Sequence, residues 1–281
     1  METLTGVLLF ELALAGDGEG LIFYADIDVF GVDVGDVGFE DELVFGLVDI
    51  DGGRPAVSYT HLPENRLLSR GARYRMDAEM VRDYALAVSG LLAPQVGGPS
   101  VRPYQPDGLW ESVAMEGSDT RFYKADAGPG LYRRSVYTLW KRAAPPASME
   151  VFNGPTRESC VVRRERTDTP LQALATMNDV QFVEAARYLA ETAMENAIGF
   201  DARLDFIASR VLARPLAANE RAIARKAYDD FEHYYSTHPE DARKFLDDGD
   251  RKPDPSLAPS EHAALSMIAS QFLNLDEVLN K

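Results

Sequence analysis

The sequence predicts a mainly α fold: an irregular multi-helix domain with long polar loops over residues 63–281, preceded by an acidic leader that is either β-like or disordered. Three observations carry this prediction. Met80, Tyr84, Val88 and Leu91 recur at helical spacing. Two helix starts are signalled close together, at Thr169-Pro170-Leu171-Gln172 and at Asn178-Asp179-Val180-Gln181. Helical periodicity then returns over residues 201–212, 217–236 and 260–273. With 281 residues, 46% hydrophobic and 26% charged, the chain suffices for one large domain or two small ones of ordinary globular composition.

Taken in order, residues 21–50 alternate apolar and acidic side chains, which suggests strands, but glycine recurs, lysine is absent and no turn chemistry marks hairpins. Residues 1–62 hold thirteen Asp and Glu against Arg54 alone, a net of −12 out of the chain's −16, leaving −4 for residues 63–281. The hexapeptide VSYTHL at 57–62 resembles a translated sequencing-adaptor remnant. An Asp/Val-rich, lysine-free stretch also fits a reading of the opposite strand, so residues 1–62 are read as a leader not native to the protein. A genuine acidic β-rich leader is the alternative. The apolar start has no basic n-region and is broken by Glu11, so it is not read as a signal peptide. From Pro63 the character changes to charged, helix-rich sequence. Asp77 is the candidate N-cap of a first helix that Pro94 ends. Residues 97–110 form a Gly/Pro loop with aromatic anchors Tyr104 and Trp110, and residues 117–130 an exposed linker. Residues 131–142 are expected as a short helix or strand, stopped by Pro145 and Pro146. Thr169 and Asn178 cap two consecutive helices. Residues 244–260 are a polar connector, and Ser260 caps the last long helix.

The stretches PENRLLSRGARYRMDAEMVRD (63–83), SGLLAPQVGGPSVRPYQPDGLWE (89–111), LYRRSVYTLWKR (131–142) and RESCVVRRERTDTPLQALATMNDVQFVEAAR (157–187) are long and specific. They resemble the planctomycete-type domain of unknown function 1553, the C-terminal module of large exported proteins that often carry a cytochrome c segment. The resemblance spans residues 63–281, and LNLDEVLNK (273–281) looks like the family's C-terminus. It implies a further helical segment upstream of PENRLL, so the domain is expected to be truncated on that side, a fragment. It also implies export to a periplasmic or cell-surface location, an association with carbohydrate catabolism, and haem on a fused domain. It supplies no activity.

The chain itself offers no CxxCH, so no c-type haem is expected on it, and no cofactor. One cysteine, Cys160, excludes an intrachain disulfide, and no CxxC or HExxH suggests a metal. No run of about 18 apolar residues predicts a membrane span. Arginine and lysine concentrate in residues 133–166. Arg157, Arg163, Arg164 and Arg166 could clamp an anion such as an acidic polysaccharide, because guanidinium forks match carboxylate and sulfate oxygens. The competing expectation is internal pairing, because Glu158, Glu165 and Glu184 are interleaved with them. On that reading Arg163 and Arg166 are buried against carboxylates from residues 158–184. Tyr137 and Trp140, three apart, would share a helix face, to stack on a sugar or to fill the core. Cys160 is expected as a small buried apolar residue. Gln172, Asn178 and Asp179 are explained by capping and receive no catalytic role.

Two functions follow. The first is a non-catalytic module that binds the other domains of a full-length protein, or a glycan, in support of hydrolytic or redox domains. The second is a carbohydrate-active enzyme with a polar site around residues 163–178. Nucleic acid is not expected as a partner, given the net −4 of residues 63–281.

Overall fold

A computed structural model describes the backbone of residues 9–14 and 21–26 and the whole of residues 74–281. The first two segments are strands β1 (Leu9–Leu14) and β2 (Leu21–Asp26), paired antiparallel from Leu9 opposite Asp26 to Leu14 opposite Leu21. The hexapeptide at 57–62 and the PENRLL motif lie outside the described residues.

Residues 74–281 are mainly helical. The helices are α1 (Ala78–Ser89), α2 (Leu109–Val113), α3 (Ala147–Val151), α4 (Pro170–Asn178), α5 (Val180–Asn196), α6 (Phe200–Val211), α7 (Ala218–Thr237), α8 (Pro239–Asp247), α9 (Pro259–Leu273) and α10 (Asp276–Leu279). Helix α9 is the axis of the core and packs on α5, α7 and α8. It is buried on nearly every side, which its sequence allows because the polar residues it buries, His262, Ser266 and Ser270, are neutral. Ala185, Ala186, Ala190 and Ala193 on α5 and Ala263, Ala264 and Ala269 on α9 are buried, so the two backbones approach closely. Leu189, Leu204, Ile207, Leu265 and Ile268 fill the space between helices, each worth about 1.5–3 kcal/mol of burial.

The helices at 201–212, 217–236 and 260–273 match α6, α7 and α9. Several local expectations are corrected. Helix α1 does not bury the Met80–Tyr84–Val88 stripe. It buries Ala78, Val81, Arg82, Ala85, Leu86 and Ser89, a face disguised by the charge at its centre, and Met80 is exposed. It stops at Gly90, four residues before Pro94, because Gly90 adopts φ 93° and donates its N–H to Leu86 O and Ala87 O. Asp77 occupies the N-cap position, but its side chain makes no cap bond; the carboxylate lies 4.0 Å from Arg164 Nη1. Thr169 likewise sits at the N-cap of α4 ahead of Pro170 without a side-chain cap bond. The capping box fails because the Gln172 amide is drawn away to Val151 O (3.1 Å) and Thr167 Oγ1 (3.0 Å). Asn178 is the last residue of α4, donating back to Leu174 O, and Asp179 caps α5 by accepting from Gln181 N at 3.0 Å. Ser260 is the second residue of α9; Ala258 holds the N-cap position and Pro259 supplies the preset φ. Residues 131–142 form neither an α-helix nor a strand, only a 3₁₀ turn at Ser135–Tyr137 with single bridges from Arg133 to Ala93, Thr138 to Val101 and Lys141 to Ala144. Helix α8 occupies part of the expected connector, which shrinks to 248–258; it buries only Ala242 and Leu246, too sparse a pattern to read in sequence.

The two ends of this unit meet. Tyr74 N donates to Lys281 O (2.7 Å), Lys281 N to Tyr74 O (2.9 Å) and Met76 N to Leu279 O (2.9 Å), an antiparallel clasp beside α1. Among the described residues no helix is long and apolar enough to cross a membrane.

Candidate functional site

The cationic stretch forms a loop, residues 152–169, that leaves α3 and returns into α4. Its base is tied by side chains: Asn153 Nδ2 donates to Thr167 Oγ1 at 2.6 Å, and Gln172 joins the same hydroxyl. Arg75 Nη2 holds Gln172 Oε1 at 2.8 Å and Asp168 at 3.2 Å. Beyond this base the loop stands out from the helices.

The arginines divide. Of the four, Arg164 alone is ion-paired among the described residues, with both oxygens of Glu79 in the first turn of α1 and, at 4.0 Å, with Asp77. Burial raises the Glu79 carboxyl, but the Arg164 hydrogen bond and charge outweigh it and hold that carboxyl below its ordinary value. Arg163 and Arg166 are exposed, contrary to the expectation of burial against carboxylates from 158–184. On an irregular exposed loop, neighbouring glutamates diverge instead of folding back onto the arginines. Arg163 has no ion-pair partner among the described residues, and Arg166 lies over the Tyr74 ring at 5.9 Å. Arg157 is exposed, 4.4 Å from the Trp140 ring centroid, and takes the left-handed conformation at φ 64°. That conformation costs a non-glycine residue about 1–2 kcal/mol, offset in part by the stacking on Trp140. Trp140 itself is half-buried and donates Nε1–H to Thr156 O at 3.3 Å. Tyr137 does not share a helix face with it. Its ring carries the Arg133 guanidinium at 3.8 Å, and its hydroxyl accepts from Gly97 N at 2.8 Å. Cys160 is exposed on the same loop, not buried, as are Val161 and Val162. The loop therefore presents Arg157, Arg163 and Arg166 to solvent beside aromatic rings and two exposed valines.

A second polar constellation is buried. Arg82 on α1 spends its whole guanidinium on structure: Nε to Gln181 Oε1 (2.8 Å), Nη1 to Arg133 O (2.8 Å) and Ser135 Oγ (3.1 Å), Nη2 to Leu131 O (2.6 Å). Burial pulls its pKa down to about 10, so it stays charged at neutral pH. On α5, Glu184, Arg187 and Glu191 fall on one face. Glu184 accepts from Tyr132 (2.8 Å), Tyr104 (3.0 Å) and the Arg251 backbone N–H (2.8 Å). Glu191 accepts from Asp254 N at 3.1 Å, and Arg187 donates to Arg251 O. Arg187 stands 3.8 Å from each glutamate, and its Nε and Nη1 have no hydrogen-bond partner. These groups fasten residues 250–254 to α5 and leave no glutamate of the pair free for acid–base work. Their trace in the sequence is a set of charges at i, i+3 and i+7 between alanines of a core helix. Among the described residues no group of three or more His, Cys, Asp or Glu is placed to hold a metal ion.

A family model described as PSD1: Protein of unknown function (DUF1553) matches residues 55–228, starting a few residues ahead of Pro63. No curated protein and no solved structure matches the chain.

Proposed function

Because this chain belongs to the DUF1553 family, for which no activity is defined, we propose from its own surface chemistry that it is a non-catalytic binding module. It acts within a larger exported protein and grips an acidic polysaccharide through loop 152–169, in support of neighbouring carbohydrate-degrading or redox domains. One observation carries the reading: Arg157, Arg163 and Arg166 are exposed together, and none forms an ion pair with a carboxylate of the described residues, although Glu158 and Glu165 lie on the same loop. Guanidinium groups left unpaired beside aromatic rings match the carboxylates or sulfates of a sugar polymer in bidentate fashion. The left-handed backbone of Arg157 points the same way, since such conformations persist where surrounding structure holds a side chain for use. The enzyme alternative around residues 163–178 draws no support, because its polar amides Gln172 and Asn178 are committed to structural bonds.

The test is isothermal titration of the chain with polygalacturonate and with a neutral glucan of similar length, on wild type and on an Arg157/Arg163/Arg166→Ala triple variant. Wild type binds the acidic polymer with an affinity that falls as salt rises. The triple variant melts at the wild-type temperature and loses that binding. Equal affinity for the two polymers, or a triple variant that binds as wild type does, overturns the reading.

A further inference from the structure

Residues 248–258 cross from α8 to α9 over a cavity of about 400 Å³, within the usual size of a small-ligand site. It shares no residue with loop 152–169. Leu246, Leu257, Pro253 and Pro255 form apolar walls. No Trp, Tyr or Phe lines it, so nothing there offers the flat ring on which a pyranose stacks. One wall is held in place by the buried face of α5, through Glu184 to the Arg251 N–H and Glu191 to the Asp254 N–H. The cavity therefore exists before any ligand arrives, and binding need not order the connector.

The inner wall holds His262, 1% exposed. Its Nε2 lies 3.3 Å from Arg187 O. A carbonyl only accepts, so Nε2 carries the proton and Nδ1 keeps its lone pair. Among the described residues Nδ1 has no hydrogen-bond partner. Burial lowers the pKa of the ring, which keeps it neutral and the lone pair available at neutral pH. At the mouth stand Arg243 and Lys244, both exposed. Each has a surface acid partner, Glu240 at 2.6 Å and Asp241 at 3.6 Å, in pairs of the kind that exchange at little cost. The lining also holds two acids: Asp247 pairs with Lys252 (2.9 Å) and Asp254 accepts from Ser256 N (2.8 Å).

A buried acceptor, apolar walls and cations at the rim define the complementary molecule. We propose that this cavity binds a small hydroxyaryl carboxylate, its ring against the leucines and prolines, its hydroxyl donating to His262 Nδ1 and its carboxylate between Arg243 and Lys244. The ring fits the space, and the hydroxyl meets an acceptor of the cavity wall that no described residue engages.

The experiment is NMR of the full chain labelled with ¹⁵N-histidine, titrated with 4-hydroxybenzoate and with benzoate. His233 and His238, both outside the cavity lining, serve as controls in the same molecule. The expected result is a saturable shift of the His262 Nδ1 resonance with 4-hydroxybenzoate, and benzoate weaker by about tenfold or more for want of the donor. An Arg243→Glu/Lys244→Glu variant, altered only at exposed positions, weakens 4-hydroxybenzoate to a similar degree. No saturable shift of His262, equal affinity for the two acids, a shift shared equally by His233 and His238, or unchanged affinity in the double variant overturns the proposal.

Discussion

Arg82 and Arg166 show how little a residue's type says about its role. Arg82 donates four hydrogen bonds from a buried position on α1, tying residues 131–135 to the start of α5. Its replacement by Ala strands Gln181 Oε1 and two carbonyls in the core, and urea denaturation is expected to register a loss of about 3 kcal/mol or more. Arg166→Ala, on the exposed loop, should stay within about 0.5 kcal/mol of wild type in the same assay. Asp179 carries a different signature. Burial raises its pKa to about 6, against the Gln181 hydrogen bonds and the Arg82 charge that lower it. A carboxyl whose folded pKa lies above its unfolded value favours the folded state in its protonated form. Stability from this group is therefore present at low pH and is lost as pH rises from the unfolded value near 3.8 through about 6. Asp179→Asn keeps a capping oxygen for Gln181 N and removes the charge. The variant should melt higher than wild type at pH 7, by an amount worth about 1 kcal/mol, and the gain should vanish near pH 4. A gain that persists at pH 4 would mean that the charge of Asp179 is not the cause.

At the scale of elements, the connector at 248–258 is the part most dependent on its neighbours. Gly249 sits at φ 92°, and a Cβ there would meet the Glu184 carboxyl carbon at 2.5 Å. Gly249→Ala should therefore cost about 2 kcal/mol by thermal melt, from backbone strain together with displacement of Glu184. A neutral result would show that Glu184 does not fasten this segment. The same connector explains what the sequence concealed. Helices α6, α7 and α9 were legible because apolar periodicity and helix packing agree over three or more turns. Helix α8 was not, because two buried side chains make no stripe. Asp77 and Thr169 were legible as caps by position and not by bond, since the partner that a capping box needs, Gln172, serves Val151 and Thr167, whereas Asn178 and Ser260 fall inside helices. The cationic loop stood out by composition. Its exposure did not, because charge pairing depends on where a chain turns. The Glu184–Arg187–Glu191 face was hidden for another reason. Its partners are two tyrosine hydroxyls more than fifty residues before it and main-chain groups more than sixty residues after it, and backbone N–H groups leave no mark in a sequence.

For the whole molecule, the matched family segment and the folding unit differ in extent. The match ends at residue 228, within α7, yet α9 at Pro259–Leu273 is the axis on which α5 and α7 pack. A chain truncated after residue 228 is expected to lack a cooperative thermal transition and to show collapsed amide dispersion by NMR, because the apolar faces of α5 and α7 would open to water. A dispersed spectrum from that truncation would place the core elsewhere. The clasp between Tyr74 and Lys281 joins residues more than two hundred positions apart. Closing so long a loop costs entropy that only the packed helices between them can offset, so the clasp forms when the rest of the unit does. Amides at the margin of a fold ordinarily exchange with solvent early; those of Met76 and Lys281 should exchange only as the whole unit opens, which makes them a clock for global unfolding set at its edge.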